Sequence, residues 1–317
     1  MTFNRRMPFT GMALNRANEK RKSKPWFEQQ LMAENTIFII AHQGKYLFND
    51  KALAHWSAKD ISHYKMHATF ILLGLDNSQA IIIADFSALS EDDFFEITTL
   101  TKRENAYFLD FRPSIMLLDK KMAVNLAYGR SLTHWHTAYK FCGYCGHATA
   151  SKESGHMRQC TNNDCEKMHF PRTDPVVIML VEYQPKEGPA LCLLANHTRS
   201  PDNLVSTLAG FVDPGESLEE AVIREVKEEV GLKVDTLAYI ASQPWPFPNS
   251  LMMGFYVKVS ENQLTLTDDE IASANWYSAE QVRLLDDWGS EGDNTQIPGK
   301  ESIARYLIDY WLAQKTN

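Results

Sequence analysis

The sequence has no apolar run approaching the ~20 residues that a membrane-spanning helix needs. Its longest, around Ala68–Leu75 and Ala80–Ile83, are of strand length. Nothing behind the opening Met1-Thr-Phe-Asn-Arg-Arg-Met-Pro forms the continuous apolar core of a secretory leader, and the closing Gln-Lys-Thr-Asn is no recognisable address. A basic excess is also missing: 32 Lys and Arg stand against 40 Asp and Glu, a net charge of -8, which argues against a dedicated duplex-DNA binder. There is no internal repeat and no low-complexity block. Cysteine is scarce, five in 317 residues, yet four fall between positions 142 and 165. In a chain expected to be cytoplasmic, such a cluster signals a metal rather than disulfides.

What is present suffices for packed cores: 44% of residues are apolar and 23% charged. At ~150 residues per domain the length accommodates two domains and a smaller module. Residues 1–29 read as a flexible basic arm, because 1–24 hold seven Lys or Arg and one acidic residue, Glu19, with little apolar periodicity. Residues 30–112 read as a small α+β domain without a chemical motif of its own. There Ile37-Phe-Ile-Ile and Tyr46-Leu-Phe flank a turn-like His42-Gln-Gly-Lys, and two further strand patterns flank Asp76-Asn-Ser-Gln. Glu91–Asp110 mixes helix and loop signals. Ile115–Phe141 reads as a long helix, placing a connector over 113–139. A ribbon over 140–172 and an α/β domain over 173–317 complete the chain, the latter closing on a helix near Ser302–Gln314.

The ribbon pattern is Cys142-Gly-Tyr-Cys145, fourteen residues, then Cys160-Thr-Asn-Asn-Asp-Cys165. Two thiolate pairs on two turns can converge on one tetrahedral Zn²⁺, and a site closed by four protein ligands is structural rather than catalytic. The four-residue gap in the second pair departs from the commoner two. His147, His156 and His169 are near enough for one to replace a thiolate. Cys192, inside an apolar strand, reads as a buried small hydrophobe.

The stretch Gly210-Phe-Val-Asp-Pro-Gly-Glu216-Ser-Leu-Glu-Glu-Ala-Val-Ile-Arg224-Glu225-Val-Lys-Glu228-Glu229-Val-Gly231-Leu232 is the most informative. Ser217 and Glu220 form a capping-box pattern that starts a helix, and Gly231 can end it. Leu218, Ala221, Val222, Val226 and Val230 give the helix an apolar face. Glu225, Glu228 and Glu229, at i, i+3 and i+4, gather on one side, where like charges repel. That repulsion makes sense if hard divalent cations such as Mg²⁺ or Mn²⁺ occupy the face, with Arg224 holding the carboxylates in place.

These residues match the nine fixed positions of the Nudix box, so the chain resembles the Nudix hydrolases. The resemblance implies a Nudix α/β/α sandwich, preceded here by a zinc ribbon and the N-terminal α+β domain. It implies hydrolysis of a nucleoside diphosphate linked to another moiety, with Glu225 and Glu229 on catalytic Mg²⁺ or Mn²⁺ and Glu228 beside them. The backbone carbonyl of Ala209 would be a further ligand. A glutamate of the Glu228/Glu229 pair would be the general base, with Glu229 favoured.

A second motif narrows the substrate. In Ser242-Gln243-Pro244-Trp245-Pro246-Phe247-Pro248-Asn249-Ser250, three alternating prolines are expected to hold the chain extended. They would present Trp245 and Phe247 as an aromatic ledge for a planar ring, with Gln243 and Ser250 offering hydrogen bonds. The segment is similar to the signature of NADH pyrophosphatases, which carry a four-cysteine ribbon before the Nudix domain. The resemblance implies NADH and NAD⁺ as substrates, cleaved to AMP and a nicotinamide mononucleotide, and a homodimer. It points to Phe170 of Phe170-Pro-Arg as a base contact, to Glu270 of Asp268-Asp-Glu-Ile as a fourth metal carboxylate, and to Ala304 as a small residue at the substrate site. Two other readings stay open. The substrate could be an NAD-capped RNA 5′ end, with Arg158, Lys167 and Arg172 meeting phosphates. The chain could instead be a zinc-ribbon binding protein with an inactive Nudix-like sensor.

Overall fold

The computed structural model describes residues 7–90, 92–93, 105–266 and 269–315. Most of Glu91–Asp110, and Asp268, lie outside the described residues. The chain falls into two compact units. One comprises Gly11–Arg172 with Pro246–Asn249; the other comprises the segment up to Thr10, Thr173–Trp245 and Ser250–Asn317.

The first unit is built on a mixed sheet whose strands are β1 (Ile37–His42), β2 (Lys45–Asn49), β3 (Ala52–Leu53), β4 (His55–Trp56), β5 (Thr69–Asp76), β6 (Gln79–Asp85) and β7 (Ala106–Asp110). The order is β3-β2-β1-β6-β5, with β4 beside β1, β7 beside β2, and β1 parallel to β6. Both hairpins read from sequence form, with Ala41 facing Tyr46 and Leu75 facing Ala80. Alternation along β5 and β6 sends Leu72, Ile82 and Ala84 into a core with Trp26, Phe27 and Leu31 of helix α1 (Lys24–Met32) and Ile61 of α2 (Ala58–Ile61). After a one-turn α3 (Phe111–Ser114), the opposite face takes α4 (Lys120–Ala138), where Gly129 lets the helix approach: a Cβ there would lie 2.2 Å from Ile83 Cδ1. The sheet is therefore covered by helices on both sides. The long helix starts later than its sequence pattern suggested, at Lys120, because Asp119 caps it by accepting from the Met122 N–H at 2.8 Å.

The expected flexible arm is not what forms between Met7 and residue 29. Met7, Phe9, Leu14 and Ala17 are buried, Asn15 bridges to Leu75, and Ser23 caps α1. Four scattered apolar side chains anchor the segment without any periodicity that a sequence pattern could reveal. The ribbon, a three-stranded antiparallel sheet of β8 (Thr149–Lys152), β9 (Met157–Cys160) and β10 (Met168–His169), completes the unit.

In the second unit β11 (Asp174–Tyr183) pairs with β12 (Leu191–His197), β13 (Leu208–Phe211) and, in parallel, β15 (Ser250–Val259). β14 (Thr236–Trp245) and β16 (Ile271–Ser278) flank them. Val177, Met179 and Val181 of β11 face Ala221, Val222, Val226 and Val230 of α5 (Leu218–Val230). Ile178 and Leu180 face the other way, toward α6 (Ala279–Arg283) and Ile303, Leu307 and Trp311 of α7 (Ile303–Gln314). The stretch Val176–Val181 is buried on both faces and so is apolar at every position, which is why β11 reads as a continuous run. The result is an α/β/α sandwich, with β13 delivering the chain to the start of α5.

Candidate active site and metal centre

The loop from β13 into α5 is fixed by its own polar side chains. Ser217 Oγ accepts from the Glu220 N–H at 3.2 Å, and the Glu220 carboxylate accepts from the Ser217 N–H at 2.7 Å. Such reciprocal caps contribute about 1 kcal/mol. Gly231, at φ +73, closes the helix in the left-handed region. Before the cap, the Glu216 carboxylate accepts from the Asp213 N–H at 3.0 Å and takes Arg224 in a fork, Nε at 2.7 Å and Nη2 at 2.9 Å. Arg224 also donates to Phe211 O (2.9 Å), Glu225 Oε1 (2.7 Å) and Glu228 Oε2 (3.1 Å). One guanidinium thus ties the loop to the helix and aligns two carboxylates. Arg224 and the Asp213 N–H hold the Glu216 carboxyl down to about 2, so it is ionised throughout the physiological range.

The three helix glutamates differ in environment. Glu228 is 55% exposed at its side chain, Glu225 only 13%, and Glu229, at 2%, is buried under the helix. Glu225 has its space because Gly210 has no side chain: a Cβ there would lie 1.9 Å from the Glu225 carboxyl carbon. Burial pushes the Glu225 carboxyl up, Arg224 opposes this, and the charges of Glu228 and Glu270 push it further. The glutamate oxygens are not drawn into one close group in this structure; as an all-oxygen donor set they suit Mg²⁺ or Mn²⁺. Ala209 lies next to Gly210 on β13, opposite Ile178. Glu270 precedes β16 and is exposed; its backbone carbonyl accepts from Thr198 N (2.9 Å) and Oγ1 (3.3 Å). Neither Thr198 nor Gly210's steric role was recognised in the sequence. A glycine before a carboxylate helix signals the second; nothing local signals the first.

The four ribbon cysteines put their sulfurs within 4.8 Å of one another, the one such group of potential ligands among the described residues. Cys142 and Cys165 Sγ are 3.9 Å apart, Cys145 and Cys160 Sγ 3.4 Å. A tetrahedron with Zn–S of ~2.3 Å has edges of ~3.8 Å, so four thiolates fit Zn²⁺ without a histidine. Gly146, at φ +76, turns the first knuckle. The histidines take other parts. His169 Nε2 lies 3.3 Å from Cys142 Sγ, and His147 Nδ1 contacts Cys145 O at 3.2 Å. His156 is buried away from the thiols, with Nε2 bonded to Leu72 O at 2.7 Å. Arg158, expected to meet phosphate, is buried too. It donates to Thr149 Oγ1 and O, both at 2.7 Å, and to His136 Nδ1 at 2.8 Å. Cys192 is fully buried in β12.

The proline segment runs extended only as far as Trp245, the end of β14. Trp245 pairs with Ser250 across β14 and β15, and Pro246-Phe247-Pro248-Asn249 forms the loop between them, with a cis Phe247–Pro248 bond. Pro244 is exposed, and Asn249 Nδ2 donates to Arg172 O at 3.2 Å. The ring of Phe247 is already in use: it stacks on Phe111 (5.7 Å between centroids) with Arg112 over its face at 4.5 Å. Arg130 Nε donates to Pro246 O at 2.9 Å. Gln243 is fully buried and works inside the protein. Its Nε2 donates to Glu301 O (2.8 Å) and Pro8 O (3.2 Å), and its Oε1 accepts from Ile303 N–H (2.7 Å). Ala304, in the first turn of α7, is packed in the core beneath these bonds. Phe170, in contrast, leaves 55% of its surface exposed just after β10.

Residues 172–296 match the NUDIX domain and 138–170 the NADH pyrophosphatase zinc ribbon domain. Residues 35–135 match the NADH pyrophosphatase-like rudimentary NUDIX domain, which accounts for a first sheet with helices on both faces. That match runs on through α4, set apart as a connector by its sequence pattern alone; no glycine loop or glutamate helix marks the domain. The NAD-capped RNA hydrolase NUDT12 of Homo sapiens is 32% identical over 346 residues, which span 98% of this chain and 74% of that protein. The NAD-capped RNA hydrolase NudC of Stutzerimonas stutzeri is 34% identical over 221 residues, 70% of this chain and 73% of its own. Nudix hydrolase 19, chloroplastic, of Arabidopsis thaliana is 42% identical over 224 residues, 58% of this chain and 50% of its own. The chain belongs to the NADH pyrophosphatase family of the Nudix hydrolases.

Proposed function

We propose that this protein hydrolyses the pyrophosphate of NADH and NAD⁺, giving AMP and reduced nicotinamide mononucleotide or NMN, and that it removes NAD caps from RNA 5′ ends. The observation that carries the reading is the Arg224 hub, which binds Glu216 and aligns Glu225 and Glu228 above a buried Glu229. An inactive sensor has no use for that complete set of carboxylates. Glu225, Glu228, Glu229, Glu270 and the Ala209 carbonyl would hold Mg²⁺ or Mn²⁺, which supplies charge neutralisation on the phosphoryl oxygens and a water of lowered pKa. Of the Glu228/Glu229 pair, Glu229 accepts the proton of the attacking water. Glu216 stays ionised and keeps Arg224 in place. Phe170 is our choice for stacking on the base. The names of the human and Stutzerimonas relatives favour capped RNA as a physiological substrate. We further propose a cytoplasmic homodimer; zinc thiolates need a reducing compartment.

Incubating the purified protein with NADH and Mg²⁺ or Mn²⁺ and separating the products tests the reaction. Release of AMP with reduced nicotinamide mononucleotide is expected. Failure to turn over NADH, NAD⁺ or NAD-capped RNA with either metal overturns the reading.

A further inference from the structure

The segment Met7–Thr10, which sequence patterning places in a solvated arm, belongs to the Nudix unit. Met7 is buried with Leu307 and Ile308 of α7, and the Thr10 N–H returns to Met7 O at 3.3 Å to close a tight turn. Phe9 is 5% exposed and sits at φ +63, a left-handed conformation that a bulky side chain rarely adopts. Such a residue persists only where its surroundings determine its place. Two contacts do so here. The Phe9 ring meets Trp245 edge-to-face at 6.3 Å and 62°, and the neighbouring Pro8 O accepts from Gln243 Nε2. Both partners belong to the Gln243–Trp245 stretch at the end of β14. The same Gln243 amide also holds Glu301 O and Ile303 N, at the start of the helix that carries Ala304. A single buried amide therefore joins three backbones, and the N-terminal segment is one of them.

We infer that Met7–Thr10 is a strap that sets the position of Trp245 and of the start of α7, and that Phe9 is a positioning residue for dinucleotide binding. This rests on the proposed action on NADH. It goes further in giving an N-terminal residue, remote in sequence from the signature, control over that signature's aromatic side chain. Phe9 acts through Trp245, so its loss acts on substrate affinity rather than on the chemical step.

The test uses the full chain with NADH and Mg²⁺ or Mn²⁺. Phe9→Leu keeps an apolar side chain and removes the ring; Phe9→Gly removes the ring and also relieves the backbone. Each is expected to raise KM ~3- to 10-fold, the range of one aromatic pair, with kcat within ~2-fold of wild type. An unchanged KM in an active Phe9→Leu variant, or a loss confined to kcat, overturns the strap's role. Phe9→Leu decides alone should Phe9→Gly not fold. Wild-type protein inactive on NADH would sink the underlying reading, whereas active wild type with indifferent Phe9 variants would sink only this inference.

Discussion

Gly210 and Glu225 occupy one another's space, and that steric fact separates activity from stability at the residue scale. In Gly210→Ala the new Cβ meets the end of a flexible side chain, not backbone, so the carboxylate swings away while α5 stays put. A fall in kcat of at least ~10-fold with little change in melting temperature is expected, because small misplacements of reacting groups are costly. Glu229→Gln keeps the buried shape and removes the proton acceptor. It should lower kcat at least ~10²-fold while circular dichroism stays native. Near-wild-type turnover would reassign the base. Both residues were visible in the sequence because the box brings its own geometry: a cap, a glycine and a 3.6-residue period lie within one stretch. Gln243 was visible only as part of a signature. Its bonds to Pro8, Glu301 and Ile303 span up to 235 positions, and no local pattern distinguishes a buried staple from a substrate contact.

The elements divide in the same way. Hairpins in the first unit, β11 and α5 were legible because alternation or capping is local. The strap and the loop at Pro246–Asn249 were not, since a few buried side chains and long-range partners decide them. Between α4 and the ribbon lies a polar network that sequence gave no hint of. His136 Nε2 bonds Gly155 O, and its Nδ1 accepts from buried Arg158; His156 bonds Leu72 O and faces the charges of Arg21 and Arg16. Burial lowers both imidazoles from 6.5 to about 4. Between those values the unfolded chain binds protons that the folded chain does not. Stability is therefore lost as pH falls from 6.5 toward 4, by at most roughly 3 kcal/mol per histidine. Urea unfolding of zinc-loaded protein across that window should show the loss, and His156→Gln, which can still donate to Leu72 O, should flatten the slope. Equal slopes in the two proteins would remove His156 from the account.

For the whole molecule, the net charge of -8 constrains how an RNA substrate is held. Part of the negative charge lies in Glu216, Glu225, Glu228, Glu229 and Glu270, where cations would offset it, but the remaining surface does not favour an extended phosphate track. Of the three ribbon side chains expected to meet phosphate, Arg158 is spent internally and Lys167 lies 4.9 Å over the Tyr144 ring. Lys167 and the exposed Arg172 are the two of these that reach the surface, and as the pair expected to meet RNA they give about two phosphate contacts. For a single strand, two contacts give a slope of about -1.4 in log(kcat/KM) against log[salt], or a ~7-fold fall between 50 and 200 mM. NADH, which lacks the RNA body, should show a nearly flat profile and so corrects for salt effects on metal and diphosphate. Arg172→Gln should reduce the slope for capped RNA by about half and leave NADH turnover unchanged. A ~10³-fold fall for RNA would mean a long phosphate interface, and the acidic character of this surface would then have misled; equal profiles for the two substrates would mean that the enzyme holds the cap alone.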